Sequence, residues 1–403
     1  MELHALLAHR AVGHARARIH ETDAVTLREQ VELVRVPAPS FAEEERGARV
    51  RARFAELELE GVRVDEVGNV LATLPGAADP AAPPVVLSAH LDTVFPAGTD
   101  LTPRHEGDRV YAPGITDNTR GLAAMLAVAR VLAEARIRTV RPLLFAATVG
   151  EEGIGDLRGV KHLFRERSPL RAAAAFLSLD GSGTGRIVHR AIGSRRLRAT
   201  VRGPGGHSWA DRGAPNPVQA LSAAVVAIGA VQPPPAARSA VTVARIGGGT
   251  SVNSIPAEAW AEIDLRSDTP QPLVRLEEEV RAAVQSAVDA ENRARGRGRR
   301  AHPLAASFET IGDRPSGETD PDSALVRAAV AVTRALGDPP ELAASSTDAN
   351  VAISLGIPAV TIGAGGESGG VHTLGEWYSN RGGARGIERA LLVALAVAGV
   401  ADE

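Results

Sequence analysis

Short runs of β-branched and apolar residues recur along the chain, each followed by a Gly- or charge-bearing loop and then by a segment of helical period. That alternation predicts a parallel α/β sheet. The runs are VVLSA (85–89), PLLFAATV (142–149), AAAFLSL (173–179) and PAVTI (358–362). Between the first two, NTRGLAAMLAVARVLAEA places Leu122, Met125, Leu126, Ala129 and Leu132 at spacings of three and four. This spacing predicts a helix packed on the sheet, with Asn118 or Thr119 as its cap. The amino-terminal segment MELHALLAHRAVGHARARIHETDAV breaks its apolar residues with His and Arg every few positions. It reads as an amphipathic helix and lacks the continuous apolar core of a signal peptide.

The pattern changes from about residue 195. RRLRATVRG alternates Leu197, Ala199 and Val201 with Arg and Thr, as a one-sided antiparallel strand does. A helix (NPVQALSAAVVAIGAV), two strands (SAVTVARI and AEAWAEIDL), a long charged helix (LVRLEEEVRAAVQSAVDAENR) and a strand near HPLAASFE follow. The order β-α-β-β-α-β is the ferredoxin-like unit. It interrupts a doubly wound α/β domain that resumes at about residue 313, so the expected organisation is 1–190 and 313–403 for the main domain and 191–312 for an inserted one. The Arg/Gly stretch RARGRGRR (293–300) is read as a solvated turn.

Composition narrows the function classes. Four hundred and three residues suggest two domains, and 44% hydrophobic with 23% charged side chains describes a globular chain. Lys and Arg number 45 against 48 Asp and Glu, so no basic field is present for nucleic acid or an anionic membrane. The longest apolar stretch, Leu391 to Ala401, falls short of the roughly 18 residues that span a bilayer, and a cytoplasmic location is expected. With no cysteine, thiolate catalysis and Cys-ligated metals are excluded, so a metal would have to be held by His and carboxylates.

Such residues follow the predicted strands. His90 and Asp92 come after the first, Asp117 lies ahead of the helix, Glu151 and Glu152 follow the second strand, Asp180 the third and His372 the fourth. Open α/β sheets bind ligands at the carboxyl ends of their strands, so these residues are expected on one rim. Two imidazoles with several carboxylates suit zinc, cobalt or manganese, and a shared carboxylate lets two ions sit roughly 3.5 Å apart with a water between them. Asp117 is the natural bridge. Of Glu151 and Glu152, one can ligate while its neighbour accepts a proton. Asp92 is placed to receive the second imidazole N–H of His90 and fix its tautomer.

In these segments the chain resembles the dizinc exopeptidase family that contains peptidase T, glutamate carboxypeptidase, aminoacylase and succinyl-diaminopimelate desuccinylase. The matching segments are SAHLDTVFP, APGITDNTRGLAAML, VGEEGIGDLRG, SLDG, GPGGHSWAD, GGTSVNSIPAEAWAEIDLRSDT, STDANVAISLGIPAVTIG and GGVHTLGEW, in the family's order. The resemblance implies two Zn2+ per chain, with Co2+ or Mn2+ as substitutes. One ion would take His90, Asp117 and Asp180, and the other Asp117, Glu152 and His372, with Glu151 as general base. It further implies a lid role for the inserted domain, in many members joined with pairing of two subunits, so a homodimer through that domain is expected. His207, Asn253 and Arg266 would contact substrate. An Asp at position 180, with the fit of HLDTVFP and STDAN to peptidase T-like members, implies an aminopeptidase acting on di- or tripeptides. A carboxypeptidase or N-acyl amino acid deacylase is the alternative. The chain departs from the commonest pattern at Asn118-Thr-Arg120-Gly121, where a different pocket wall is expected.

Two competing readings fare worse. Gly366-Glu-Ser368-Gly-Gly370 satisfies G-x-S-x-G, but a nucleophile elbow needs a strand leading in and a helix leading out, and this loop continues through Gly, Val, His and Thr. A metal-free binding relative of the family would have lost the base or a ligand, whereas Glu151 and all five ligand positions are present.

Overall fold

The computed structural model describes residues 3–77, 79, 81–233, 238–295 and 302–401. Within it the chain divides into two compact units, Met1–Ala191 with Glu318–Glu403, and Ile192–Gly317.

The first unit is built on a sheet whose order is Glu60–Val64, Val70–Leu74, Leu143–Thr148, Val85–His90, Ala175–Leu179, Ala359–Ile362 and Arg186–Ala191, with Glu341–Ser345 also pairing on the last of these. The four strands read from the apolar runs lie side by side and parallel. All are buried along their length, as strands covered on both faces must be. Successive residues feed opposite layers: Val85 and Leu87 join the core beneath the helices Thr119–Glu134 and Gly383–Ala398, while Val86 packs with Val160 and Ala352 on the other face. The sheet is mixed, not wholly parallel. Val70–Leu74 runs antiparallel to Leu143–Thr148, and Ala359–Ile362 antiparallel to Arg186–Ala191. A tight turn, in which the Asp65 carboxylate accepts the backbone N–H groups of Val67, Gly68 and Asn69, makes the first two strands a hairpin, which only antiparallel strands can form.

The helix expected on the sheet spans Thr119–Glu134 and is capped by Asn118, whose side chain accepts the Gly121 N–H. It is buried on every side from Thr119 to Leu132, not on one face only. The helices Arg10–Glu21 and Asp23–Val34 cover its outer side, where Arg130 Nη2 donates to the hydroxyls of Thr22 and Thr26, each at 3.0 Å. This explains the amphipathic amino-terminal segment, whose Val12, Ala15 and Ile19 complete that core.

In the second unit, Gly193–Arg202, Ser239–Gly248, Glu258–Ser267 and Ala305–Arg314 form an antiparallel sheet in the order second, third, first, fourth, and the helices Pro217–Gly229 and Pro270–Arg295 pack on it. This is the ferredoxin-like arrangement. Leu197, Ala199 and Val201 face the helices in a core of their own. The last strand pairs with the first as far as Arg314 opposite Ser194, which carries the unit past residue 312 to Gly317. Of the stretch 293–300, Arg293 to Arg295 end the long helix, and 296–300 lie outside the described residues. No helix among the described residues is long and apolar enough to cross a membrane.

The chain leaves and re-enters the first unit at adjacent points, since the Thr319 N–H donates to the His189 carbonyl at 2.8 Å. Because each unit buries its own apolar cluster, replacing Ile192–Gly317 by a short Gly-rich linker is expected to leave a cooperatively folding first unit. Thermal unfolding followed by circular dichroism checks this, and a broad, non-cooperative melt would count against it.

Candidate metal centre

The parallel strands deliver their chemistry at one edge. His90 ends Val85–His90, and in the ladder it stands opposite Thr148, three residues before Glu151. Asp180 follows Ala175–Leu179, and its N–H donates to the Ile362 carbonyl at 3.0 Å. Asp117 is brought beside it by Asn118, which donates from Nδ2 to the Leu179 carbonyl at 2.8 Å while capping the next helix. Gly121 is required at that junction, because a Cβ there would lie 2.1 Å from Asn118 Oδ1 and 2.4 Å from the Leu179 carbonyl oxygen. His372 sits in a tight turn with a left-handed φ of 65°.

Asp117 stands between the two imidazoles. Its Oδ1 is 3.0 Å from His90 Nε2, and its Oδ2 is 3.0 Å from His372 Nε2. Glu152 Oε1 approaches His372 Nε2 at 2.9 Å, and Asp180 Oδ1 lies 3.8 Å from His90 Nε2. Donor atoms of His90, Asp117 and Glu152 all fall within 4.8 Å of one another. His90 Nε2 and Asp117 Oδ1 are buried, and neither has a hydrogen-bond partner. Buried polar atoms are rarely left so. An all-nitrogen-and-oxygen donor set with two such orphans facing each other fits a divalent transition ion.

Charges are strongly coupled here. Burial acts to raise the Asp117 carboxyl, but His372 and His90 outweigh it and hold the group far below the usual carboxylate range. Burial likewise acts to lower His90, yet Asp117, Asp180 and Asp92 push the imidazole well above its ordinary value. Burial, reinforced by the Asp117 charge, raises Glu152 against the opposing pull of His372. His372, hydrogen-bonded to Asp117 and Glu152, is pushed up to about 10.

Asp92 meets His90 and the glutamate pair together. His90 Nδ1 lies 3.0 Å from the backbone carbonyl of Asp92 and 3.5 Å from its carboxylate. A carbonyl only accepts, so Nδ1 carries a hydrogen, and Nε2 is the nitrogen turned toward Asp117. The carboxylate also accepts the N–H groups of Glu151 and Glu152, both at 2.9 Å, and the Ser40 hydroxyl at 2.7 Å. Asp92 thus fixes the Glu-Glu turn through its side chain and the imidazole through its backbone. Both glutamates are buried.

Sequence reasoning passed over Ser40, Glu376 and Asp348. Glu376 accepts three backbone N–H bonds from the Asp117 segment, and burial pushes its carboxyl up to about 7. Asp348, in STDAN, accepts from the Thr148 hydroxyl at 2.5 Å and is raised by burial to about 6. The only signal for either was its place within a motif. The departure at Arg120 proves structural. Its fully buried guanidinium donates to the Ala364 and Gly383 carbonyls and lies over the Tyr378 ring, so it ties the helix start to the carboxyl-terminal helix. Ser368 pairs with the Ser182 hydroxyl at 2.8 Å, in keeping with rejection of the serine-hydrolase reading. A further grouping joins Asp65 and Glu66 of the hairpin turn to His162 of the helix Arg158–Leu163, and there Asp65 is occupied by Asn69 and neighbouring N–H groups.

The three residues expected to touch substrate all lie in the second unit. His207 lies on a two-residue strand opposite Ser254, and the Asn253 carbonyl accepts the Ser208 N–H at 3.0 Å, so these two are neighbours. The His207 Nδ1 accepts from the Trp209 and Ala210 N–H groups at 3.2 and 3.3 Å, which leaves the hydrogen on Nε2. Arg266 is not with them. It lies toward the far end of Glu258–Ser267, about 26 Å from Glu258 at roughly 3.3 Å per residue. There its Nε donates to Asp264 at 2.7 Å.

Fold and site define the class: a metal-dependent hydrolase acting on peptide or amide bonds, with an inserted α+β unit. The chain belongs to the peptidase family M20/M25/M40, whose model matches residues 86–396. Among solved structures it is similar to the aminopeptidase PepT of Bacillus cereus, with 24% identity, a TM-score of 0.70, and 93% of this chain and 97% of that one covered. A tripeptidase of Staphylococcus aureus is 22% identical, with a TM-score of 0.71 over 93% and 96% of the two chains. A dinuclear metal-binding M20 peptidase of Bacillus subtilis is 18% identical, with a TM-score of 0.64 over 93% and 97%. No curated protein matches the chain.

The His372 shift makes a pH prediction for metal-free protein. A pKa raised from the ordinary ~6.5 contributes stability that is complete below ~6.5 and is lost as pH rises through the folded-state value of about 10. The melting temperature of metal-free protein should therefore fall as pH rises from ~6.5, and His372→Ala should flatten part of that slope. Histidine NMR should show the His372 ring still protonated at pH 8; a ring titrating near 6.5 would contradict the assignment.

Proposed function

We propose that this protein is a dizinc exopeptidase that releases the amino-terminal residue of di- and tripeptides. On this reading His90, Asp117 and Asp180 hold one zinc, and Asp117, Glu152 and His372 hold the other, with Co2+ or Mn2+ as substitutes. The observation that supports it most directly is the division of Asp117, one oxygen 3.0 Å from His90 and the other 3.0 Å from His372. That is the geometry a carboxylate needs to bridge two ions.

Bound there, the pair of ions supplies Lewis acidity, polarising the scissile carbonyl and lowering the pKa of water. The chain's own residues do the rest. Glu151, buried and with its backbone N–H held by Asp92, accepts the proton of the attacking water and passes it to the departing amine. Asp92 keeps Glu151 and Glu152 from exchanging roles, because their N–H groups are tied to its two different oxygens. His207 carries its hydrogen on Nε2 and is suited to donate it to the substrate carbonyl oxygen. Asn253 supplies a neutral polar contact beside it. Arg266, held by Asp264 toward the end of its strand away from Asn253 and His207, is given no substrate contact on this reading. The preference for the amino end rests on Asp180 and on likeness to the aminopeptidase and tripeptidase above.

Glu151→Gln is expected to retain two bound ions and to lower kcat by roughly 100- to 10,000-fold, whereas Glu152→Gln should lose metal. Elemental analysis beside steady-state kinetics separates these, and normal turnover by Glu151→Gln would remove it as the base. A panel of free peptides, amino-blocked peptides and N-acetyl amino acids tests the specificity. Free di- and tripeptides should be cleaved fastest; faster cleavage of the blocked substrates would favour the carboxypeptidase or deacylase alternative.

A further inference from the structure

Glu376 is a fully buried carboxylate that the chemistry above does not use. It lies four residues beyond His372, on the same loop, and some 260 residues from the groups it binds. Oε2 accepts the Gly114 N–H at 2.9 Å, and Oε1 accepts those of Thr116 at 2.8 Å and Asp117 at 3.0 Å. Its backbone is engaged on both sides as well. The Glu376 N–H donates to the Thr373 carbonyl at 3.1 Å, closing the turn that directly follows His372, and its carbonyl accepts the Ala112 N–H at 3.1 Å, at the start of the segment that carries Asp117.

A surface salt bridge or a simple loop staple would not need this arrangement. No Lys or Arg faces the Glu376 oxygens among its described partners, and the carboxylate lies close enough to Asp117 for the two charges to oppose each other. Burying an anion beside another anion is unfavourable unless hydrogen bonds compensate it, and here three backbone N–H groups do so. All three belong to the four residues Gly114–Asp117. The cost is met only if that segment holds one conformation, the one that points Asp117 between the imidazoles.

We infer that Glu376 is a positioning residue of the metal centre, setting the separation between the loop that delivers His372 and the loop that delivers Asp117. The inference rests on the dimetal reading of the site. It requires Glu376 to govern metal affinity and ligand geometry while touching neither metal nor substrate. Removing it lets the two loops drift independently, so the bridging carboxylate loses its aim while every ligand remains in the chain.

The test uses full-length protein stripped of metal and titrated with Co2+ and Zn2+ against a chromophoric chelator, for wild type, Glu376→Gln and Glu376→Ala. The Co2+ visible spectrum and the melting temperature of each metal-free protein are recorded beside it. Wild type should take up two ions. Both variants should bind about 10- to 100-fold more weakly and show shifted Co2+ bands, although their metal-free forms remain folded. Glu376→Gln keeps an acceptor oxygen for Thr116 and Asp117, so it should retain more affinity than Glu376→Ala; it also carries the test alone if the alanine variant does not fold. Unchanged affinity and an unchanged Co2+ spectrum in the folded glutamine variant would overturn the inference while leaving the metal centre intact. Wild-type protein that takes up no metal would overturn the dimetal reading, and this inference with it.

Discussion

One carboxylate shared between two imidazoles governs this structure. Asp117 can face His90 and His372 at once only if three segments distant in sequence are held at fixed separations. Each is held by backbone. His90 is the last residue of a central strand, Asp117 precedes a helix whose cap is hydrogen-bonded to the neighbouring strand end, and His372 lies on a tight turn. The parallel sheet provides the common edge at which these segments meet, as open α/β sheets do for ligands in general.

Concentrating acidic groups in a buried place is unfavourable, and the protein offsets this with backbone N–H groups more than with cationic side chains. Asp92 takes the N–H groups of Glu151 and Glu152, and Glu376 takes those around Asp117. Behind them, Arg46 is fully buried and donates to the carbonyls of Val36 and Leu91, with burial pulling its pKa down to about 10. Its charge lies near Asp92, yet its hydrogen bonds go to carbonyls. Arg120 does the same for the carbonyls of Ala364 and Gly383. Buried guanidinium and carboxylate groups thus act as clasps on irregular backbone, and they hold the loops that the sheet alone would leave loose.

The inserted unit follows a separate logic. Its sheet is covered on one face by two helices, and the alternation of Leu197, Ala199 and Val201 with Arg196, Arg198 and Arg202 places apolar residues inward and charged ones outward. Arg198 pairs with Glu262, and Arg196 with Asp264, across adjacent strands. Such half-buried pairs on a solvent-facing sheet contribute little stability each. They serve more to keep the outer face of the sheet polar than to hold the unit together.

The sequence by itself determined the central strands, the helix after Asn118, the inserted unit and most of the rim. Short apolar runs bounded by Gly- or charge-bearing loops pointed to doubly covered strands, the three-and-four spacing after Asn118 to a helix, and the alternation after residue 195 to a half-covered antiparallel sheet, because length, flanks and period together map onto a backbone geometry. His90, Asp117, Glu152, Asp180 and His372 could be placed on one edge because strand polarity fixes which end a following residue occupies. Tertiary structure alone decided what depends on contacts between distant segments. The antiparallel edges of the sheet, the second covered face of Thr119–Glu134, the inward turn of Arg120, the division of labour in Asp92 and the grip of Glu376 on Gly114–Asp117 are of this kind. No local period encodes them: each is a hydrogen bond or packing contact whose partner lies tens to hundreds of residues away, and its direction is set only once the sheet has brought the two together.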